Sequence, residues 1–229
     1  NQFIIGTPGR IMDLIDRGEI KTDRINNVVL DEADRMLDMG FVHDMRKILG
    51  DITKDRQTLF FSATMTKEAQ NLVGEFMNDP TTVSVKKKDV TNSIAQDVVT
   101  FEHVHKFDTL ITLLSKDELK RVIIFGSMKH SVEKLANELK RQGIKAESIH
   151  GNKSHGQRQR SLAAFKSGNA RVLVATDVAA RGIHVDNVSH VINYDLPNTF
   201  EDYVHRIGRT GRGTKRGEAL TFVEKKKQR

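Results

Sequence analysis

Val28-Val29-Leu30-Asp31-Glu32-Ala33-Asp34 runs from an apolar triplet straight into three carboxylates. A short β-branched run without polar alternation predicts a strand of a parallel sheet covered on both faces, and the carboxyl end of such a strand is where open α/β sheets bind ligands. Asp31 and Glu32 therefore stand where a nucleotide and its metal ion belong. Far downstream, His205-Arg206-Ile207-Gly208-Arg209-Thr210-Gly211-Arg212 brings three arginines and two glycines at which the chain can bend. Guanidinium groups suit phosphates that carboxylates hold through magnesium. One acidic end and one arginine end describe a divided site.

Further apolar runs lie at Phe3–Ile5, Leu59–Phe61, Val122–Phe125, Val172–Ala175 and Val188–Ile192, several of them uninterrupted. Helical patterns separate them. In Ser131–Gln142, Val132, Leu135 and Leu139 fall on one stripe, Lys and Glu occupy the other face, and Gly143 supplies the stop. Strands alternating with helices predict a doubly wound α/β fold.

The 229 residues are 38% hydrophobic, enough for one large or two modest cores, and no apolar run approaches the roughly 20 residues of a membrane span. A soluble protein without membrane contact is expected. The absence of cysteine excludes disulfides and thiolate metal sites and fits a reducing cytoplasm. Asn1-Gln2-Phe3 shows no basic leader or cleavage pattern, so no targeting signal is expected.

Residues 1–85 hold 10 Lys+Arg against 14 Asp+Glu, whereas residues 86–229 hold 27 against 16, so the net charge of +7 comes from the second part. That excess reads as a polyanion footprint. With aromatics at 6% and no tryptophan, base stacking has little to work with, and the grip falls on backbone phosphates with low sequence specificity. Lys86-Lys87-Lys88-Asp89-Val90-Thr91-Asn92-Ser93 is polar, lacks periodicity and coincides with the charge shift. It sets a linker at residues 86–95.

Together with Thr7-Pro8-Gly9-Arg10, Ser62-Ala63-Thr64 and Ala179-Ala180-Arg181-Gly182, in this order and spacing, these blocks closely resemble the DEAD-box family of ATP-dependent RNA helicases. The resemblance covers essentially the whole chain. It implies two RecA-like parallel-sheet units: residues 1–85 as the later half of the first domain and 96–229 as a complete second. The family's phosphate loop, upstream of the Thr-Pro-Gly-Arg block, has no counterpart here. Gly208 to Lys215 imitates its glycine spacing, but with Thr-Lys in place of Lys-Thr.

By that resemblance Asp31 holds magnesium through water, and Glu32 orients the water that attacks the γ-phosphate. Such a division suits phosphoryl transfer, which needs charge neutralisation and an in-line nucleophile. Asp34 would pair with Ser62, Thr64 or a motif arginine. Ser62 and Thr64 would couple nucleotide state to RNA binding, or else cap the helix that begins near Lys67. Thr7, Pro8, Gly9 and Arg10 read as a helix start, and in the family that block holds RNA backbone.

In the second domain His150-Gly151, Gln157, Arg160 and Thr176-Asp177 resemble further RNA contacts. Arg209 and Arg212 match the arginine fingers at the γ-phosphate, with His205 and Arg206 facing the acidic and hydroxyl blocks of the first domain. Gly182 would approach the nucleotide. His184 stands where the family usually has Asp at the ribose, with Asp186 the nearest substitute. His130, His155 and His190 have no metal-ligand partners at useful spacing and read as surface or core residues.

The expected function is part of an ATP-dependent RNA helicase using ATP and magnesium and unwinding short duplexes locally. The chain alone is expected to be inactive for want of the phosphate loop. A module that binds RNA or a protein without ATPase activity is the alternative, and a truncated product with no independent role a third. The incomplete first domain is expected to favour self-association.

Overall fold

In the first unit, Asn1–Ser84, β1 (Asn27–Leu30) and β2 (Gln57–Phe60) pair in parallel with Val29 opposite Leu59. The computed structural model describes residues 3–84, 94–180, 183, 185, 187–211 and 217–225. Helices α1 (Pro8–Asp16), α2 (Ala33–Asp38), α3 (Val42–Asp51) and α4 (Lys67–Phe76) accompany these strands, with a short 3-10 turn at Thr22–Arg24. The pleat sends Val28, Leu30 and Phe60 to one face, where they pack with the buried Met45, Leu49 and Leu72. Each fully buried side chain of this size stabilises by about 1.5–3 kcal/mol.

The alternate residues Val29 and Leu59 remain exposed, 57% and 41%, as does Phe61. Cover on both faces, expected from the unbroken apolar runs, is thus present on only one face of this pair among the described residues. Phe3–Ile5 forms no strand either, and Phe3 and Ile5 are strongly exposed. An apolar triplet becomes a strand only where a ladder takes its N–H and C=O groups, and among the described residues β1 and β2 pair only with each other.

The second unit, Val85–Arg229, alternates β3 (Ile94–Phe101), α5 (Lys106–Leu114), β4 (Val122–Phe125), α6 (Lys129–Arg141), β5 (Ala146–Ile149) and α7 (His155–Ser167). It continues through β6 (Val172–Ala175), α8 (Asp177–Ala180), β7 (His190–Asn193), α9 (Phe200–Ile207) and β8 (Gly217–Glu224). All pairings are parallel, in the order β3-β8-β7-β4-β6-β5. Strand β3 begins inside the expected linker, of which residues 86–93 lie outside the described residues.

Strands β4, β6 and β7 are buried along their whole length, so the unbroken apolar runs of β4 and β6 do mean cover on both faces here. Ile124 joins Val132 and Leu139 of α6 on one side of the sheet, and Ile123 and Phe125 meet Phe165 of α7 on the other. Chain order reverses about β4, with β6 and β5 to one side and β7 and β8 to the other. The crevice beyond the carboxyl ends at such a switch is the place where open α/β sheets take ligands.

Candidate functional site

At the end of β1 the chain turns so sharply that Glu32, the N-cap of α2, lies in the left-handed region with φ 49° and ψ 46°. A non-glycine residue there costs on the order of 1–3 kcal/mol and persists only where its surroundings hold it. The turn sorts the acids. Asp31 and Glu32 stay exposed, with Asp31 Oδ1 accepting from the Glu32 N–H at 3.0 Å. Asp34 is buried.

Asp34 Oδ2 accepts from the Thr64 N–H at 2.8 Å and from Thr64 Oγ1 at 2.9 Å, while its Oδ1 accepts from the Arg35 N–H at 2.9 Å. The Asp34 N–H donates to Ser62 Oγ at 3.3 Å, and that hydroxyl donates to the Thr64 carbonyl at 2.6 Å. Burial pushes the Asp34 carboxyl up, but the hydrogen bonds from Thr64, Arg35 and Ser62 together outweigh it and hold the pKa below the ordinary value. Of the alternatives left open for Asp34, the structure selects the hydroxyl pair. The cap of α4 is neither Ser62 nor Thr64 but Thr66, whose Oγ1 accepts from the Ala69 N–H at 3.2 Å.

Helix α1 starts where expected, with Thr7 as N-cap in extended backbone, Pro8 buried, and Gly9 and Arg10 exposed. The Thr7 hydroxyl makes no cap bond. Arg10 pairs along the surface with Asp13.

At the switch point of the second unit, Asp177, His205, Arg206 and Arg209 surround a small recess beside Phe125 at the end of β4. Arg206 is 2% exposed. Its fork meets Asp177, Nε to Oδ1 at 2.6 Å and Nη2 to Oδ2 at 2.8 Å, while Nη1 donates to the Asp195 carbonyl at 2.6 Å and to Asn193 Oδ1 at 3.3 Å. The guanidinium lies 5.1 Å from the Phe125 ring centroid. Arg206, expected to face the acidic and hydroxyl blocks of the first domain, uses these donors within its own unit. A buried guanidinium must have its donors satisfied, and Asp177, Asn193 and Asp195 do so within its own unit. Asp177, expected among the RNA contacts, gives both carboxylate oxygens to that fork.

His205 is exposed on the same helix, and the half-buried Arg209 donates from Nη1 to the Ile183 carbonyl at 3.1 Å. Only one of the two expected bends needs glycine. Gly208 has φ −63°, whereas Gly211 has φ 67° and a Cβ there would stand 2.8 Å from Ile94 Cγ1. Arg181, Gly182, His184, Asp186 and Arg212 lie outside the described residues.

Gly151 and Arg160 are exposed, and the Thr176 N–H donates to the Ile149 carbonyl at 3.3 Å. His150, by contrast, is buried at 6%, its Nε2 3.0 Å from Glu133 Oε2. Gln157 forms a capping box for α7: its Oε1 accepts from the Ser154 N–H at 2.8 Å and its N–H donates to Ser154 Oγ at 3.3 Å. The spacing Ser-x-x-Gln ahead of a helix was the available signal for that role.

Two family models match, the DEAD/DEAH box helicase over residues 1–72 and the helicase conserved C-terminal domain over residues 105–214. The Geobacillus kaustophilus DEAD-box ATP-dependent RNA helicase CshA is 48% identical over 221 residues, which is 96% of this chain and 47% of the relative. In its crystal structure with RraA, the E. coli DEAD-box protein SrmB is 40% identical with a TM-score of 0.55, over 57% of this chain and 78% of that one. The chain belongs to the DEAD-box family.

S. cerevisiae Dbp5 bound to RNA and ADP BeF3, at 33% identity and a TM-score of 0.83, matches 97% of this chain and 59% of its own. The parallel sheets of this DEAD-box chain are accordingly RecA-like. It spans about half the length of the curated relatives it matches. Among the described residues no helix is long and apolar enough to cross a membrane, and no group of three or more His, Asp or Glu could by itself hold a metal. Magnesium keeps most of its waters and takes one or two carboxylates beside substrate phosphates. The exposed Asp31, at a strand end, suits that mode.

Proposed function

We propose that the chain is part of an ATP-dependent RNA helicase, with ATP and RNA as its substrates. One observation carries the reading: the left-handed turn at Glu32 leaves Asp31 and Glu32 open to solvent while Asp34 is tied to Ser62 and Thr64. Asp31 would hold magnesium through water, and Glu32 would orient the attacking water. Magnesium, when bound, neutralises phosphate charge. Arg209 and Arg212 stabilise charge on the transferred phosphoryl group, as arginine fingers do. Asp34, Ser62 and Thr64 couple the nucleotide to RNA by rearranging a hydrogen-bonded set in which no donor is charged.

The RNA face comprises the start of α1 at Thr7–Arg10 and, in the second unit, Gly151, Arg160 and Thr176. The basic excess of residues 86–229 supports contact through backbone phosphates. A cytoplasmic location goes with this reading.

A second reading, an ATPase-inactive binding module, is favoured by one feature: the 229 residues contain no Gly-x-x-x-x-Gly-Lys-Ser/Thr loop. Positioning dominates phosphoryl transfer, so this chain by itself should release phosphate no faster than its Glu32→Gln variant, with or without RNA. RNA-stimulated turnover that disappears in Glu32→Gln would overturn this. The exposed Val29, Leu59 and Phe61 are where a second copy would associate, so light scattering should show oligomers that Leu59→Lys disperses. A monomer at high concentration would remove the idea.

A further inference from the structure

The loop joining β5 to α7, His150–Ser154, is anchored on one carboxylate. Oε2 of Glu133, in the second turn of α6, meets Ser148 Oγ, His150 Nε2 at 3.0 Å and Lys153 Nζ at 3.6 Å. Lys153 Nζ also donates to the Ser148 carbonyl at 3.0 Å, and the Lys153 N–H to the His150 carbonyl at 3.1 Å. Ser154 then starts α7.

An ionised carboxylate only accepts, so Nε2 of His150 carries the proton and donates to Glu133. The opposite nitrogen, Nδ1, is buried with no hydrogen-bond partner. Such an orphan costs stability, so the ring is held in place by its Nε2 bond against that cost. Burial pushes the Glu133 carboxyl up, yet the bonds from Ser148 and His150 and the charge of Lys153 bring it down to about 2. Glu133 is charged at neutral pH.

For a surface that takes RNA the arrangement is electrostatically adverse. Glu133 repels phosphates, and it occupies Lys153, whose side chain is 15% exposed and whose ammonium would otherwise serve as a phosphate donor. We infer that Glu133 is a positioning residue that fixes the backbone from His150 to Lys153, so that Gly151 and the start of the Arg160 helix are presented to an RNA backbone. The inference rests on the reading of Gly151 and Arg160 as RNA contacts.

The test uses the full chain and a fluorescein-labelled single-stranded oligouridylate, with binding read by anisotropy across a salt series. Glu133→Gln makes the chain more positive, yet affinity should fall roughly tenfold and the slope of log affinity against log salt should fall by about 0.7, the share of a single phosphate no longer neutralised. Glu133→Asp should recover part of both. Tighter binding by Glu133→Gln, or weaker binding with the slope unchanged, overturns the positioning role. His150→Asn, which removes the same bond from the other side, should add little to Glu133→Gln, and full additivity would also overturn it. Arg160→Ala separates the two readings. If it weakens binding while Glu133→Gln does not, only the positioning role falls; if it changes nothing, the RNA face itself is misassigned.

Discussion

Two strand ends are each followed by an aspartate of the candidate site, and they hold it in opposite ways. Beyond β1, Asp34 is caged: its carboxylate accepts from the Thr64 hydroxyl and from the Thr64 and Arg35 N–H groups, while its own N–H donates to Ser62 Oγ. Beyond β6, Asp177 is gripped bidentately by Arg206, which is buried at 2%. Hydroxyl donors rotate and exchange at small cost, whereas a desolvated fork tolerates no displacement of either partner. The difference teaches where each unit is adjustable: the acidic end can reorganise, and the arginine end is locked from beneath.

The largest expected effect tests the lock. Arg206→Leu leaves the partly buried Asp177 carboxylate and the Asn193 and Asp195 oxygens without their donor and should destabilise the second unit by about 3 kcal/mol. Replacing Asp177 as well, by leucine, should restore much of that loss, because the double variant buries no unpaired charge. Urea unfolding followed by circular dichroism measures both. A loss below about 1 kcal/mol for Arg206→Leu, the level of a surface pair, would erase the contrast.

Asp34→Asn should cost less, about 1–3 kcal/mol in the first unit, because it misfits hydrogen bonds without stranding a charge. Its pH dependence sharpens the comparison. The Asp34 carboxyl sits below its ordinary value of 3.8 in the folded state, so its contribution is complete above about pH 4 and fades as pH falls through the folded pKa. Glu133 in the second unit goes from 4.5 to about 2, so its contribution fades between those two values. Acid titration of stability should therefore flatten below about pH 4 in Asp34→Asn and between about pH 4.5 and 2 in Glu133→Gln. Identical acid profiles in parent and Asp34→Asn would mean the cage does not favour the ionised form.

The parts readable in the sequence were those with a periodic or local cause. β4 and β6 showed as unbroken apolar runs, β7 as a run broken by Ser189 and His190, and the buried stripe of α6 at Val132, Leu135 and Leu139 showed at helical spacing. The helix itself starts at Lys129 and ends at Arg141, close to the expected 131 to 142. β3, β5 and β8 did not show, because Gln96, Asp97, Glu147 and Glu218 interrupt them and ladder pairing alone makes them strands. Phe3–Ile5 erred the other way, since an apolar triplet says nothing of whether a partner ladder is present. At the site, Asp31 and Glu32 were legible from their place after a strand. The burial of Arg206 was not, since Asp177, Asn193 and Asp195 reach it from sequence positions far from its own block.

The smallest expected effect concerns the turn that presents the acids. Glu32 occupies a left-handed conformation with φ 49°, which a side chain disfavours and glycine does not. Glu32→Gly removes that strain but adds unfolded-chain entropy of roughly 0.5–1 kcal/mol, so the net change in stability of the first unit should be a gain of at most about 1 kcal/mol. Guanidinium unfolding resolves a change of that size. The sign matters more than the size. A gain would mean that the backbone holds Glu32 in the open against its own preference, the mark of a residue kept for chemistry rather than for folding. A loss would mean that the Glu32 side chain itself braces the turn, and the acidic end would then resemble the locked arginine end after all.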